Sequence, residues 1–177
     1  IKLLMYTSGT TNRAKGVLHT HNTIAAEVRN FSAWLKLNES DVILMPSPLG
    51  HITGYLYGVQ LPIMLGCPVV LMETWDASRA MDLIERHSVT LSVGATPFLQ
   101  ELAAAAQASD RRLASLRYFP TGGAPVAPDV ILSAEKAFAR CISFRIYGST
   151  EAPTVTLGVV DSASTELRAG TDGDVGG

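Results

Sequence analysis

The stretch LRYFPTGGAPVAPDVILSAEKAFARCISFRIYGSTE, residues 116–151, decides the fold. Residues 116–119 form a short apolar run that ends in Thr121-Gly122-Gly123. Pro128 then opens a helix reaching to about Arg140. A proline suits that first position because its missing N–H would have no partner inside the helix anyway. Residues 142–147 make a second apolar run, closed by Gly148. Strand, glycine-rich loop, helix and strand in that order read as a βαβ unit, with both strands parallel in one sheet.

The same alternation continues upstream. Residues 41–45 read as a strand stopped by Pro46 and Pro48, residues 52–65 as a buried helix, and residues 68–73 as a strand. Asp76 caps a helix to about Arg86, residues 89–93 form the next strand, and Thr96-Pro97 opens a helix to about Gln107. Near the start, residues 1–6 are a short buried strand. Ile24, Val28, Phe31 and Leu35 recur at helical spacing, with Asn22 or Thr23 placed to cap that helix. Residues 154–160 alternate as one more strand. The expected class is α/β, built from βαβ units around a mostly parallel sheet.

Composition narrows the function. The chain has 177 residues, 47% of them hydrophobic, and a net charge of −2. A chain of that length buries a core without disulfides or metals. Its charge offers no basic field for nucleic acid or anionic lipid. No apolar run approaches the ~20 residues of a membrane helix, and no signal peptide is expected. Cys67 and Cys141 are far apart, in apolar surroundings, and read as buried thiols, consistent with a reducing, cytoplasmic setting. His19 and His21 read as structural rather than as a metal pair. With no initiator Met and a last stretch rich in glycine, the chain is expected to be a fragment of a longer protein, with an internal subdomain change near residues 66–68.

Ligands of such sheets sit outside the carboxyl ends of the strands, and three loops there carry chemistry. The first is Tyr6-Thr7-Ser8-Gly9-Thr10-Thr11-Asn12-Arg13-Ala14-Lys15-Gly16. Hydroxyls and backbone N–H groups can surround phosphate oxygens, and a lysine neutralises them. Its glycine spacing is not that of a P-loop, which disfavours a P-loop phosphotransferase. The second is Tyr147-Gly148-Ser149-Thr150-Glu151, with an aromatic face for a purine, hydroxyls for phosphate and a carboxylate for Mg2+. The third is Thr121-Gly122-Gly123-Ala124-Pro125, whose glycines let backbone approach a flat ligand. A fourth segment, Pro48-Leu49-Gly50-His51-Ile52-Thr53-Gly54, opens the helix of residues 52–65.

Together these loops resemble the acyl-adenylate-forming superfamily, whose signature Y-T-S-G-T-T-G-x-P-K-G-V is matched at residues 6–11 and 15–17. Asn12 and Ala14 depart from the usual Gly and Pro. Asn tolerates a left-handed turn, and loss of Pro loosens the loop. The resemblance implies the large N-terminal domain of an enzyme that activates a carboxylic acid with ATP as acyl-AMP and passes it to CoA. It gives ATP or AMP to Thr7, Ser8, Gly9, Thr10, Thr11, Lys15, Gly122, Gly123, Ala124, Tyr147, Gly148, Ser149 and Thr150. It gives catalytic roles to Lys15, Thr150 and Glu151, Mg2+ to Glu151, and the acid substrate to His51, Gly54 and Gly122. Medium-chain and alicyclic acyl-CoA ligases look most similar, through P-L-G-H-x-T-G and the Gly94-Ala95-Thr96-Pro97-Phe98 run. A mobile C-terminal domain with its lysine is not within residues 1–177, so the isolated chain is expected to bind ATP weakly and turn over little. The alternatives are an adenylation domain loading a carrier protein and a non-catalytic nucleotide-binding module.

Overall fold

A computed structural model describes residues 1–8, 13–158 and 164–175. In chain order its elements begin with β1 (Leu3–Thr7), β2 (Lys15–His19), α1 (His21–Leu35) and β3 (Ile43–Met45). Next come α2 (Ile52–Tyr55), a π-helical stretch (Leu56–Gln60), α3 (Leu61–Leu65), β4 (Val69–Leu71) and α4 (Ala77–His87). Then follow β5 (Leu91–Ser92), β6 (Gly94–Ala95), α5 (Thr96–Ala108), β7 (Tyr118–Gly122) and α6 (Pro128–Ala137). The last are β8 (Ile142–Tyr147), β9 (Thr156–Leu157), α7 (Thr165–Gly170) and β10 (Asp174–Val175).

The main sheet runs β10-β9-β8-β7-β5-β3-β4, with β6 also paired to β7. From β4 to β8 every pairing is parallel; β9 and β10 extend that edge antiparallel. Successive residues of a strand face opposite sides of a sheet, and the core divides accordingly. Leu44 and Phe119 pack with α4, α5, α6 and α7 on one face. Ile43, Met45, Leu91 and Phe144 pack with α1 and the Ile52–Leu65 region on the other. At the amino ends of the strands, Asp41 is buried and accepts from Thr90 Oγ1 at 2.6 Å, Arg117 Nη1 at 2.8 Å and the Asn38 N–H at 3.0 Å. That knot ties the entries of β3, β5 and β7 together.

Three elements differ from the sequence reading. The first strand is not a buried member of the main sheet. It pairs antiparallel with β2 as a separate two-stranded ribbon, Thr7 opposite Lys15 and Leu3 opposite His19. The residues of β1 alternate half-buried and exposed, and Val17 and His19 of β2 are buried while Lys15, Gly16 and Leu18 are not. One face of the ribbon therefore covers the core, a period-2 pattern in Lys15–His19 that its motif-like composition obscures. The cap of α1 is Thr20, not Asn22 or Thr23. Thr20 Oγ1 accepts from the Thr23 N–H and Thr23 Oγ1 from the Thr20 N–H, closing a reciprocal box. Third, the helix expected over residues 52–65 is interrupted by its π stretch. Pro62 has no N–H for an i−4 carbonyl, and its ring crowds the turn before it. The Leu61 N–H reaches back to the Leu56 carbonyl instead, and the chain takes the wider turn. Asp76 caps α4 as expected, through the Arg79 N–H at 2.7 Å.

Candidate functional site

Four of the parallel strands end at one cleft. After β3 come Ser47, Pro48 and His51; after β5, Val93 and the β6 residues Gly94 and Ala95. Gly122 ends β7 and Gly123 follows it, and after β8 come Gly148, Ser149 and Thr150. Together with Ile52, Thr53, Phe98, Ile146 and Pro153 they enclose a cavity of about 420 Å³, within the usual size of a small-molecule site. Its apolar walls with a few hydroxyls and one imidazole suit a ligand with an apolar part and a polar end.

Close backbone packing shapes the cleft. A Cβ on Gly148 would run into the Pro153 carbonyl, and one on Gly122 into the Ile146 carbonyl. The turn after β8 is closed by Ser149 N–H to the Ala152 carbonyl at 2.8 Å and by Ala152 N–H to Ser149 Oγ at 3.3 Å. The Val155 N–H then returns to the Tyr147 carbonyl at 2.8 Å. Thr150 is thereby held at the cavity wall. Glu151, next in sequence, and Tyr147, 58% exposed, lie outside the wall and open to solvent. His51 caps α2: its Nδ1 accepts from the Thr53 N–H at 3.2 Å, which leaves Nε2 available at the cavity.

The structure therefore brings His51, Gly122, Gly123, Gly148, Ser149 and Thr150 together. Gly54 is buried behind the cavity, where a Cβ would collide with the Pro48 carbonyl, and Ala124 is exposed beyond Gly123. Thr7 ends β1, Ser8 follows it exposed, and Lys15 opens β2 with its side chain in solvent. Gly9, Thr10 and Thr11 lie outside the described residues. The foot of the ribbon meets the second turn directly: His19 Nε2 lies 2.8 Å from the Thr150 carbonyl. A carbonyl only accepts, so Nε2 carries the proton. Lys15 is four residues along the same strand, about 13 Å of extended chain from that contact.

Sequence reading missed the polar cluster beneath this turn. Tyr57 Oη, from the π stretch, donates to Glu27 Oε1 of α1 at 3.2 Å and lies 2.7 Å from Thr154 Oγ1. Burial pushes the Glu27 carboxyl above its ordinary value, against hydrogen bonds from Thr154 and Tyr57 and the nearby His19 that pull it down. The Tyr57 hydroxyl is also held well above its ordinary value, by burial and by Glu27. A lone Glu beside an apolar helical stripe carries no motif, so only the tertiary contacts reveal it. The sign of its linkage follows. The fold favours protonated Glu27, so its contribution to stability is full below the ordinary carboxylate value and is lost as pH rises through the raised one. Urea unfolding at several pH values is expected to show a smaller loss of stability over that window in Glu27→Gln than in the wild type. Equal slopes would mean that the carboxyl is not desolvated.

Among the described residues, no group of three or more His, Cys, Asp or Glu could hold a metal ion, and no helix is long and apolar enough to cross a membrane.

A glycine-walled cleft at the carboxyl ends of a parallel sheet, where open α/β folds hold their ligands, makes this an α/β protein with a small-molecule site. Comparison with known proteins makes the class particular: the family described as AMP-binding enzyme matches residues 1–176, and the chain belongs to it. It is 36% identical over 171 residues to the medium-chain fatty-acid–CoA ligase of Escherichia coli (strain K12), covering 96% of this chain and 30% of that protein. It is 35% identical over 173 residues to a feruloyl-CoA synthase of an Amycolatopsis species, covering 97% of this chain and 34% of that one. The chain thus spans about a third of the length of these relatives. Among solved structures, the N-terminal domain of FACL13 from Mycobacterium tuberculosis superposes with a TM-score of 0.83 at 25% identity, over 97% of this chain and 42% of that one. The o-succinylbenzoate CoA synthetase of Bacillus subtilis in complex with AMP gives 0.79 at 28% identity, over 98% and 34%. Its complex with ATP and magnesium ion gives 0.75 at 30%, over 86% and 31%.

Proposed function

We propose that this chain is the nucleotide-binding part of a longer acid–thiol ligase that converts a carboxylic acid to its acyl-AMP and then to an acyl-CoA. The observation that carries this reading is the contact of His19 Nε2 with the Thr150 carbonyl at 2.8 Å, which sets the lysine-bearing ribbon against the turn at the cavity wall. Support also comes from the CoA ligases among its relatives and from the ATP, AMP and magnesium complexes of a structural neighbour.

In this reading Thr7, Ser8 and Lys15, with Gly9, Thr10 and Thr11, cradle the β- and γ-phosphates of ATP, and Thr150 donates to the α-phosphate. The Gly122-Gly123-Ala124 turn and Tyr147 border the adenine. The acid lies in the cavity with its carboxylate toward His51, which shapes the site and need not act as base, because the substrate is already ionised. A carboxylate oxygen attacks the α-phosphorus in line, the bond to the bridging oxygen breaks, and pyrophosphate leaves. A thiolate of CoA then adds to the acyl carbon and AMP departs. The protein contributes position and fixed charge rather than a covalent link. Mg2+ takes few protein ligands and otherwise phosphate and water oxygens, so a single exposed carboxylate such as Glu151 fits it. When bound there it would spread the charge on the phosphates.

The apolar walls formed by Ile52, Val93, Phe98 and Ile146 favour a fatty or alicyclic acid. Exchange of radiolabelled pyrophosphate into ATP by the intact protein, run against a panel of acids, tests this. Exchange is expected with medium-chain and alicyclic acids. Exchange driven by amino acids instead would contradict the substrate class, and no exchange with any acid would contradict adenylation.

A further inference from the structure

The turn that carries Thr150 is held at both ends by side chains outside the cleft. At one end the His19 imidazole donates to the Thr150 carbonyl at 2.8 Å. At the other, Thr154 meets the Tyr57 hydroxyl at 2.7 Å, and Tyr57 in turn donates to Glu27 at 3.2 Å. His19 and Glu27 lie on consecutive elements, the end of β2 and the second turn of α1, and Thr20 with Thr23 fixes the joint between them. Thr23 Oγ1 also lies 3.4 Å from His19 Nδ1. The strand that starts at Lys15 thus runs straight into the segment that grips the Thr150 turn.

We infer that Glu27, Tyr57 and His19 are positioning residues that fix the 150–154 turn relative to the lysine-bearing ribbon. None of the three lines the cavity. They act through Thr150 and Thr154, and their role in catalysis rests on the adenylating function proposed above. Two features set the cluster apart from ordinary core packing. A half-buried carboxylate is costly to keep where apolar side chains would pack as well. Its partner Tyr57 comes from the π-helical stretch, and such bulges in helices are frequent at functional sites. A wide turn at Leu56–Gln60 shifts the rotation of Tyr57 about the helix axis relative to a regular helix, and its hydroxyl reaches Glu27 and Thr154 from there.

The test compares Glu27→Ala with Glu27→Gln, which keeps an acceptor, and with Tyr57→Phe, which deletes only the hydroxyl. Amide hydrogen exchange provides a readout that does not depend on activity. In Glu27→Ala and Tyr57→Phe the N–H groups of Ser149, Ala152 and Val155 are expected to exchange about tenfold faster. Those of β7 and α5 should keep their protection, and Glu27→Gln should restore the turn. In the intact enzyme, pyrophosphate exchange is expected to fall about tenfold in kcat with little change in KM for the acid, because a misplaced Thr150 matters most in the transition state. Protection of the turn that is unchanged, or lost equally throughout the sheet, would overturn the inference, as would an equal loss in Glu27→Gln. Should Glu27→Ala not fold, Tyr57→Phe decides by the same readouts. A wild-type protein without pyrophosphate exchange would refute the adenylating function alone, and the amide comparison would still decide whether these residues position the turn.

Discussion

Exchanging Glu151 for Gln in the intact enzyme is expected to slow acyl-AMP formation about a hundredfold, the usual scale for removing one preorganised charge from a site of charge development. The substitution keeps size and hydrogen-bonding reach and removes only the negative charge. Glu151 follows Thr150 directly, on a turn braced by the Ser149–Ala152 pair, so its backbone is placed although its side chain is exposed. Exposure is what a Mg2+ ligand needs if the ion arrives with its nucleotide. The loss should appear in kcat for pyrophosphate exchange, together with a higher magnesium requirement. An unaltered rate at all magnesium concentrations would remove Glu151 from the site.

The second large effect concerns the fold. Phe119 is fully buried in β7, between the parallel neighbours β5 and β8 and beneath α5 and α6. Phe119→Ala removes the whole aromatic ring from a buried core, so both lost transfer energy and an unfilled cavity count. The expected loss is about 3–5 kcal/mol, a large share of the ~5–15 kcal/mol that holds a domain of ordinary stability together. Urea unfolding followed by circular dichroism measures it. A loss below about 1 kcal/mol would mean that the sheet and α5 close the gap by moving together, contrary to the close packing argued here. Since Gly122 lies three residues further along the same strand, a milder substitution that leaves the protein folded should also loosen the cleft.

The parts of this fold that were legible in sequence are those governed by local rules. The unit from β7 through α6 to β8 follows from apolar runs, a proline at the first helical turn and glycines at the loop. Asp76 was readable as a cap because its side chain bonds the Arg79 N–H only three residues away. The ribbon was not legible, since whether an apolar run joins the main sheet or pairs with its own successor depends on long-range competition. In Lys15–His19 the alternation was masked by residues that also suit a phosphate loop. The π stretch depends on Pro62 and on the close packing of Met45 at Gly58. At the site, the cavity residues with motif chemistry were found. Glu27, Tyr57 and Thr154 were not, because their meeting joins positions 30 and 97 residues apart with no pattern at either end.

In the proposed reaction the hairpin and the Thr150 turn serve one nucleotide. Paramagnetic broadening by Mn2+–ATP in the NMR spectrum of this chain measures that most directly, since even weak binding broadens every amide near the ion. If they share one nucleotide, amides beside Lys15 and those of Ser149, Thr150 and Glu151 broaden together at the same low Mn2+–ATP concentration, and excess Mg2+–ATP reverses both. Broadening at only one of the two segments, or at two segments with different affinities, would contradict a shared nucleotide.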